Sequence, residues 1–133
     1  MTAIRLARPI AFLVLLFGLL FGVAAQAAGK DSLYGHWKYA SGESEGSTTA
    51  VYGDLKLRKD GSFEDNRRIG GIGGFRKGTF STSGNRVTLK YDGGKSSQTY
   101  TYAFGTSKDR DGKSFETLLL RGTGLSFLLT RKE

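Results

Sequence analysis

Turn-forming glycines and Asp-Gly or Gly-Asn pairs recur along this chain at intervals of about ten residues: Gly42, Asp60-Gly61, the stretch 70–74, Gly84-Asn85, Asp92-Gly93, Asp111-Gly112 and the stretch 122–124. Such residues supply the positive φ angles that tight hairpins need. The intervals leave room for short strands, and the residues between them alternate with period two. Val87, Leu89 and Tyr91 fall on one face while Arg86, Thr88 and Lys90 fall on the other; Tyr100, Tyr102 and Phe104 alternate in the same way with Thr99, Thr101 and Ala103. Eight candidate strands follow, at 33–41, 48–58, 62–68, 75–82, 86–91, 98–104, 114–120 and 125–131. No segment after residue 27 carries a convincing 3.6-residue period, and the single proline is Pro9. The expected fold is all-β. Short connections favour an up-and-down antiparallel order, and closing eight strands into a barrel removes the edges that invite aggregation. A β-sandwich is the alternative.

The start of the chain has a different character. Arg5 and Arg8 precede an unbroken apolar run at 10–23 (IAFLVLLFGLLFGV), and Ala25-Gln26-Ala27 fits a small-x-small cleavage site. Residues 1–27 therefore read as a secretory signal peptide, with a periplasmic or secreted destination. A stable transmembrane anchor would need about 18 or more apolar residues, so none is expected. The domain is then 28–133, one domain of 106 residues. Losing Arg5 and Arg8 from the 20 basic residues leaves 18 against 12 acidic, a net charge of about +6. There is no cysteine, so the core must hold the fold without a disulfide.

Gly35-His36-Trp37 in the first strand, with Arg131 at the end of the eighth, resembles the G-x-W signature and partner arginine of lipocalin-like (calycin) barrels. The segments LRKDGSF, at 57–63, and GTFSTSGN, at 78–85, are similar to turns of the small bacterial members. The resemblance implies an eight-stranded barrel in which Arg131 packs across Trp37 and closes one end. Alternation agrees, since Leu33, Gly35, Trp37 and Tyr39 share a face, as do Leu125, Phe127, Leu129 and Arg131. A guanidinium over an indole is a cation–π contact, which makes this a structural pair. His36, the sole histidine, falls on the outward face. Unlike the vertebrate type, the chain is short and has no C-terminal helix, so the resemblance does not imply a deep ligand cup.

Several chemistries fail on spacing. Gly42-Glu43-Ser44-Glu45-Gly46 matches G-x-S-x-G, but the only histidine precedes it and no helix follows. The segment Asp109-Arg110-Asp111-Gly112-Lys113 lacks a third calcium ligand and the distal glutamate, whose place Leu120 takes. One histidine and no cysteine leave too few soft ligands for zinc or copper. Gly71-Ile72-Gly73 has Arg76 where a dinucleotide fingerprint needs glycine, and Lys77-Gly78-Thr79 reverses the P-loop order. No catalytic set, cofactor or metal is expected. Nucleic acid is not expected either, because cations and aromatics are not interleaved and the leader directs the chain out of the cytoplasm.

Two functions remain. One is a binding protein for a small apolar or anionic amphiphilic ligand, with Arg67, Arg68, Arg76 and Lys77 around a Gly-rich rim loop and Phe63, Phe80, Tyr100 and Tyr102 behind it. Asp65 and Arg67 share the parity of Phe63, so the interior becomes polar toward that loop, where the barrel would open; Ile72 is the loop's exposed tip. The other is an interaction or inhibitor protein whose basic loops meet an anionic envelope component or acidic protein.

Overall fold

The computed structural model describes residues 30–94 and 96–132; the leader at 1–27 lies outside them. A short 3-10 turn, Lys30–Leu33, leads into nine strands: β1 Gly35–Ser44, β2 Ser47–Thr49, β3 Val51–Leu57, β4 Ser62–Ile69, β5 Ile72–Ser83, β6 Arg86–Tyr91, β7 Ser97–Lys108, β8 Ser114–Arg121 and β9 Leu125–Arg131. The sheet runs β9-β8-β7-β6-β5-β4-β3-β1-β2, and β9 also pairs with β1, so it closes on itself. All neighbours are antiparallel. β2 and β3 are two parts of one barrel strand interrupted at Ala50: β2 pairs with the end of β1 through Gly42↔Thr49, and β3 with its start through Gly35↔Leu57. The architecture is an eight-stranded antiparallel barrel, as expected. Among the described residues there is no α-helix, and no helix long and apolar enough to cross a membrane.

Period-two alternation decides what fills it. Trp37, Phe63, Tyr100 and Phe127 are the largest fully buried side chains, and leucines at 55, 57, 89, 118, 120 and 129 fill the space between them. The rings interlock edge to face, with centroids 5.3 Å apart for Tyr39 and Phe127, 5.3 Å for Phe63 and Tyr91, and 5.6 Å for Tyr102 and Phe104. Offset and T-shaped pairs are the favoured aromatic geometry, so the centre is a packed core.

One element differs from expectation. The Gly-rich stretch expected as a pliant loop is a two-residue hairpin turn, Gly70 and Gly71 at φ 61° and 84°, and β5 begins at Ile72 rather than at residue 75. Two consecutive positive φ values give a turn whose twist matches its strands. Gly73 lies inside the strand, paired with Arg68, and a Cβ there would collide with the Arg67 carbonyl. Its glycine serves close backbone approach, not flexibility.

Candidate functional site

One barrel end is sealed. The Arg131 guanidinium lies 4.0 Å from the Trp37 ring, its Nε donates to Glu116 Oε1 at 2.6 Å, and its Nη1 and Nη2 donate to the carbonyls of Tyr34 and Ser32 at 2.7 and 2.8 Å. Trp37 Nε1 donates to the Leu33 carbonyl at 2.9 Å, so neither side chain is left with an idle polar group against the core. Gly35 makes room for this arrangement: a Cβ there would stand 2.5 Å from Arg131 Nη1.

The β4–β5 hairpin builds a polar cluster. Phe63, Asp65, Arg67 and Ile69 alternate inward along β4, and Asp65 is only 1% exposed. Tyr39 donates to Asp65 Oδ1 at 2.8 Å. Arg67 Nη2 lies 3.4 Å from Asp65 Oδ2, too poorly aligned to donate, so Oδ2 has no hydrogen-bond partner among the described residues. Arg67 also reaches the hydroxyls of Tyr100 and Tyr91, each at 3.4 Å, while its guanidinium sits 4.7 Å from the Phe127 ring and 5.8 Å from that of Tyr39.

Burial pushes the Asp65 carboxyl above its ordinary value, against the pull of Arg67 and the Tyr39 hydrogen bond. Burial, with Asp65 nearby, also raises Tyr39 well above an ordinary phenol and Tyr91 to about 12. Burial acts to lower Arg67, but Tyr39 and Asp65 outweigh it and raise it overall. The guanidinium is therefore a fixed cation in a largely dry setting.

This cluster is the floor of a recess of about 180 Å³ lined by Asp65, Arg67, Ile69, Ile72, Gly73, Gly74 and Arg76. Beyond Arg76 lies a second recess, of about 330 Å³, lined by Phe75, Arg76, Lys77, Tyr91, Asp92, Gly94 and Ser96. Arg76 forms the wall between them, its guanidinium 3.7 Å from the Tyr91 ring and its Nη2 3.5 Å from Ser96 Oγ. A separate groove of about 330 Å³ runs between β1 and the β8–β9 hairpin, past Leu119 and Leu128, with Glu43 and Arg121 beside it. It holds no buried ionic group.

The four rim cations do not act together. The register pairs Asp65 with Arg76 and Arg67 with Gly74, which puts Arg67 and Arg76 on the inner face; Glu64 pairs with Lys77 and Arg68 with Gly73, which puts Arg68 and Lys77 outside. Phe63 and Tyr100 are core residues, and Tyr102, 6% exposed, donates to the Gly84 carbonyl at 3.0 Å. Phe80 is partly buried and packs against the Tyr34 ring, centroids 6.2 Å apart. His36 faces Asp54 at 3.1 Å instead of standing free. Sequence reading had not given Tyr39 and Tyr91 a place in the site; their inward parity was available, but which ring meets Asp65 depends on barrel closure.

Among the described residues, no group of three or more potential metal ligands gathers. The barrel agrees with the lipocalin-like resemblance at the level of fold. No protein-family model matches the chain, and neither a curated protein nor a solved structure matches it.

Proposed function

We propose that the protein is an exported β-barrel binding protein that holds a small anionic amphiphile at the barrel mouth, its head at Arg67 and Arg76 and its apolar part along Ile69 and Ile72. The observation that carries this reading is the buried Asp65–Arg67 pair lining an accessible recess, with one carboxylate oxygen unsatisfied. Buried charge is costly, and a purely structural core would place Leu or Phe at these positions instead. Convergent polar groups beside an apolar wall are what small-ligand sites use. The packed aromatic centre keeps the ligand at the rim, so a head group and a short tail fit better than a molecule engulfed by the barrel.

The test is mass spectrometry of gently purified exported protein, followed by displacement of a fluorescent fatty acid. Arg76→Gln should weaken binding at least tenfold, whereas the double change Lys56→Gln with Arg58→Gln should leave it unchanged. Arg76 is exposed, so the variant spares the core. Absence of co-purified lipid together with absence of saturable probe binding would overturn the reading.

A further inference from the structure

Exposed large apolar side chains occur at three positions among the described residues: Tyr52 at 66%, Ile72 at 80% and Phe75 at 59%. All three belong to one corner of the barrel. Tyr52 pairs with Arg68, and Arg68 with Gly73; Ile72 precedes Gly73, and Phe75 follows two residues later on the same strand. With strands about 4.8 Å apart and about 3.3 Å per residue, the three side chains start within a patch on the order of 12 Å across. The glycine turn at its apex is bare, since a Cβ on Gly70 or Gly71 would meet nothing within 4 Å.

Charge at this corner is one-sided. Arg68 and Lys77 project on the outer face and Arg76 stands beside them, and among the described residues neither Arg68 nor Lys77 forms an ion pair. The acidic groups on that face are engaged elsewhere: Asp54 with His36 at 3.1 Å and Lys132 at 3.7 Å, and Glu64, opposite Lys77, with Arg58 at 2.9 Å. Asp92 shares the recess with Arg76 and Lys77, and Glu64 and Asp65 stand opposite Lys77 and Arg76 in the register, but among the described residues no acidic side chain is paired with Arg68.

We infer that the tip of the β4–β5 hairpin, with Tyr52 beside it, is a docking element for an anionic lipid bilayer surface. Apolar groups at the apex enter the interface, and the cations behind them meet the headgroups. Tyrosine suits the same depth, because its ring is apolar and its hydroxyl wet. A fluid surface is the better occupant than a folded protein. Ile72 lies on the inner face and Tyr52 and Phe75 on the outer, so they flank a protruding edge and offer no groove to a helix or strand. This inference stands on the exposed tip alone and does not require the recess to hold a ligand.

The test is co-sedimentation of exported protein with vesicles of phosphatidylcholine alone or with one-third phosphatidylglycerol. Binding is expected to the anionic vesicles and to fall steeply between low and high salt. The double variant Ile72→Ser with Phe75→Ser, and separately Arg68→Gln with Lys77→Gln, should each reduce partitioning at least tenfold; Lys56→Gln with Lys59→Gln should not. All these side chains except half-buried Lys56 are exposed, so folding is spared and circular dichroism verifies it. An Ile72→Trp reporter should shift its emission to the blue on anionic vesicles. Equal binding to neutral vesicles, tip variants that bind like wild type, or an unshifted reporter would each overturn the inference. Loss of vesicle binding in the Arg68→Gln with Lys77→Gln variant, with fatty-acid displacement intact, would separate this surface from the recess, to which Ile72 also belongs.

Discussion

Asp65 stands where a barrel core normally places an apolar side chain, and its neighbours define what it can do. Removing one member of a buried ion pair leaves the other charge stranded, at a cost of about 3–5 kcal/mol in typical cases. Asp65→Ala should therefore destabilise the fold by an amount of that order in urea titration, and more than the double variant Asp65→Leu with Arg67→Met. The pH dependence has a definite sign. A raised carboxyl pKa means that the folded state favours neutral Asp65; its contribution is fully present below the unfolded value of about 4 and is lost as pH rises through the raised value. Tyr91 behaves likewise at the other extreme: with its phenol raised from 10.0 to about 12, the stability it contributes is intact below pH 10 and disappears between 10 and 12. Tyr91→Phe should flatten the alkaline arm of the stability profile, measured by thermal melts from pH 8 to 12. An unchanged arm would contradict the burial of that hydroxyl.

At the level of elements, the β4–β5 hairpin carries both the recess and the exposed tip, and it depends on glycine at specific places. Gly53 on β3 has φ 119°, and a Cβ there would collide with the Asn66 carbonyl of β4. Gly70 has φ 61° and open space around it. Gly53→Ala should accordingly be severe, more than about 3 kcal/mol, while Gly70→Ala should cost about 1 kcal/mol, the ordinary penalty of the left-handed region. Chemical denaturation of both variants checks the contrast. The hairpin is also where the sequence was hardest to read. Glycine adopts positive φ equally in a turn and in a twisted strand, so the four glycines of the stretch 70–74 could not be divided into two turn glycines and two strand glycines from composition. Once the turn is fixed at Gly70 and Gly71, strict alternation sends Arg67 and Arg76 inward and Arg68 and Lys77 outward. The missing datum was register, not chemistry.

Across the whole molecule, strand count, barrel closure and the sealed end were legible, because alternation marks inward residues and glycine pairs mark turns independently of tertiary contacts. Trp37 and Arg131 were placed on one face by parity alone, and the guanidinium does stack on the indole. Glu116, on the neighbouring strand β8, and the carbonyls of Ser32 and Tyr34, in and just after the 3-10 turn, complete that end and became visible only with closure. Trp37→Ala should cost about 3–5 kcal/mol as a core truncation, and Arg131→Gln should cost less; an unaltered melting curve for either would contradict the sealed end. The central claim is a barrel filled at its centre with a ligand site confined to the mouth. Amide and methyl NMR of the purified protein titrated with decanoate tests it most directly. The account predicts saturable shifts at Arg67, Ile69, Ile72, Gly73, Gly74 and Arg76, with Leu55, Leu118 and Leu129 unmoved. Shifts spread through those core leucines, or no saturable shift at the mouth, would contradict it.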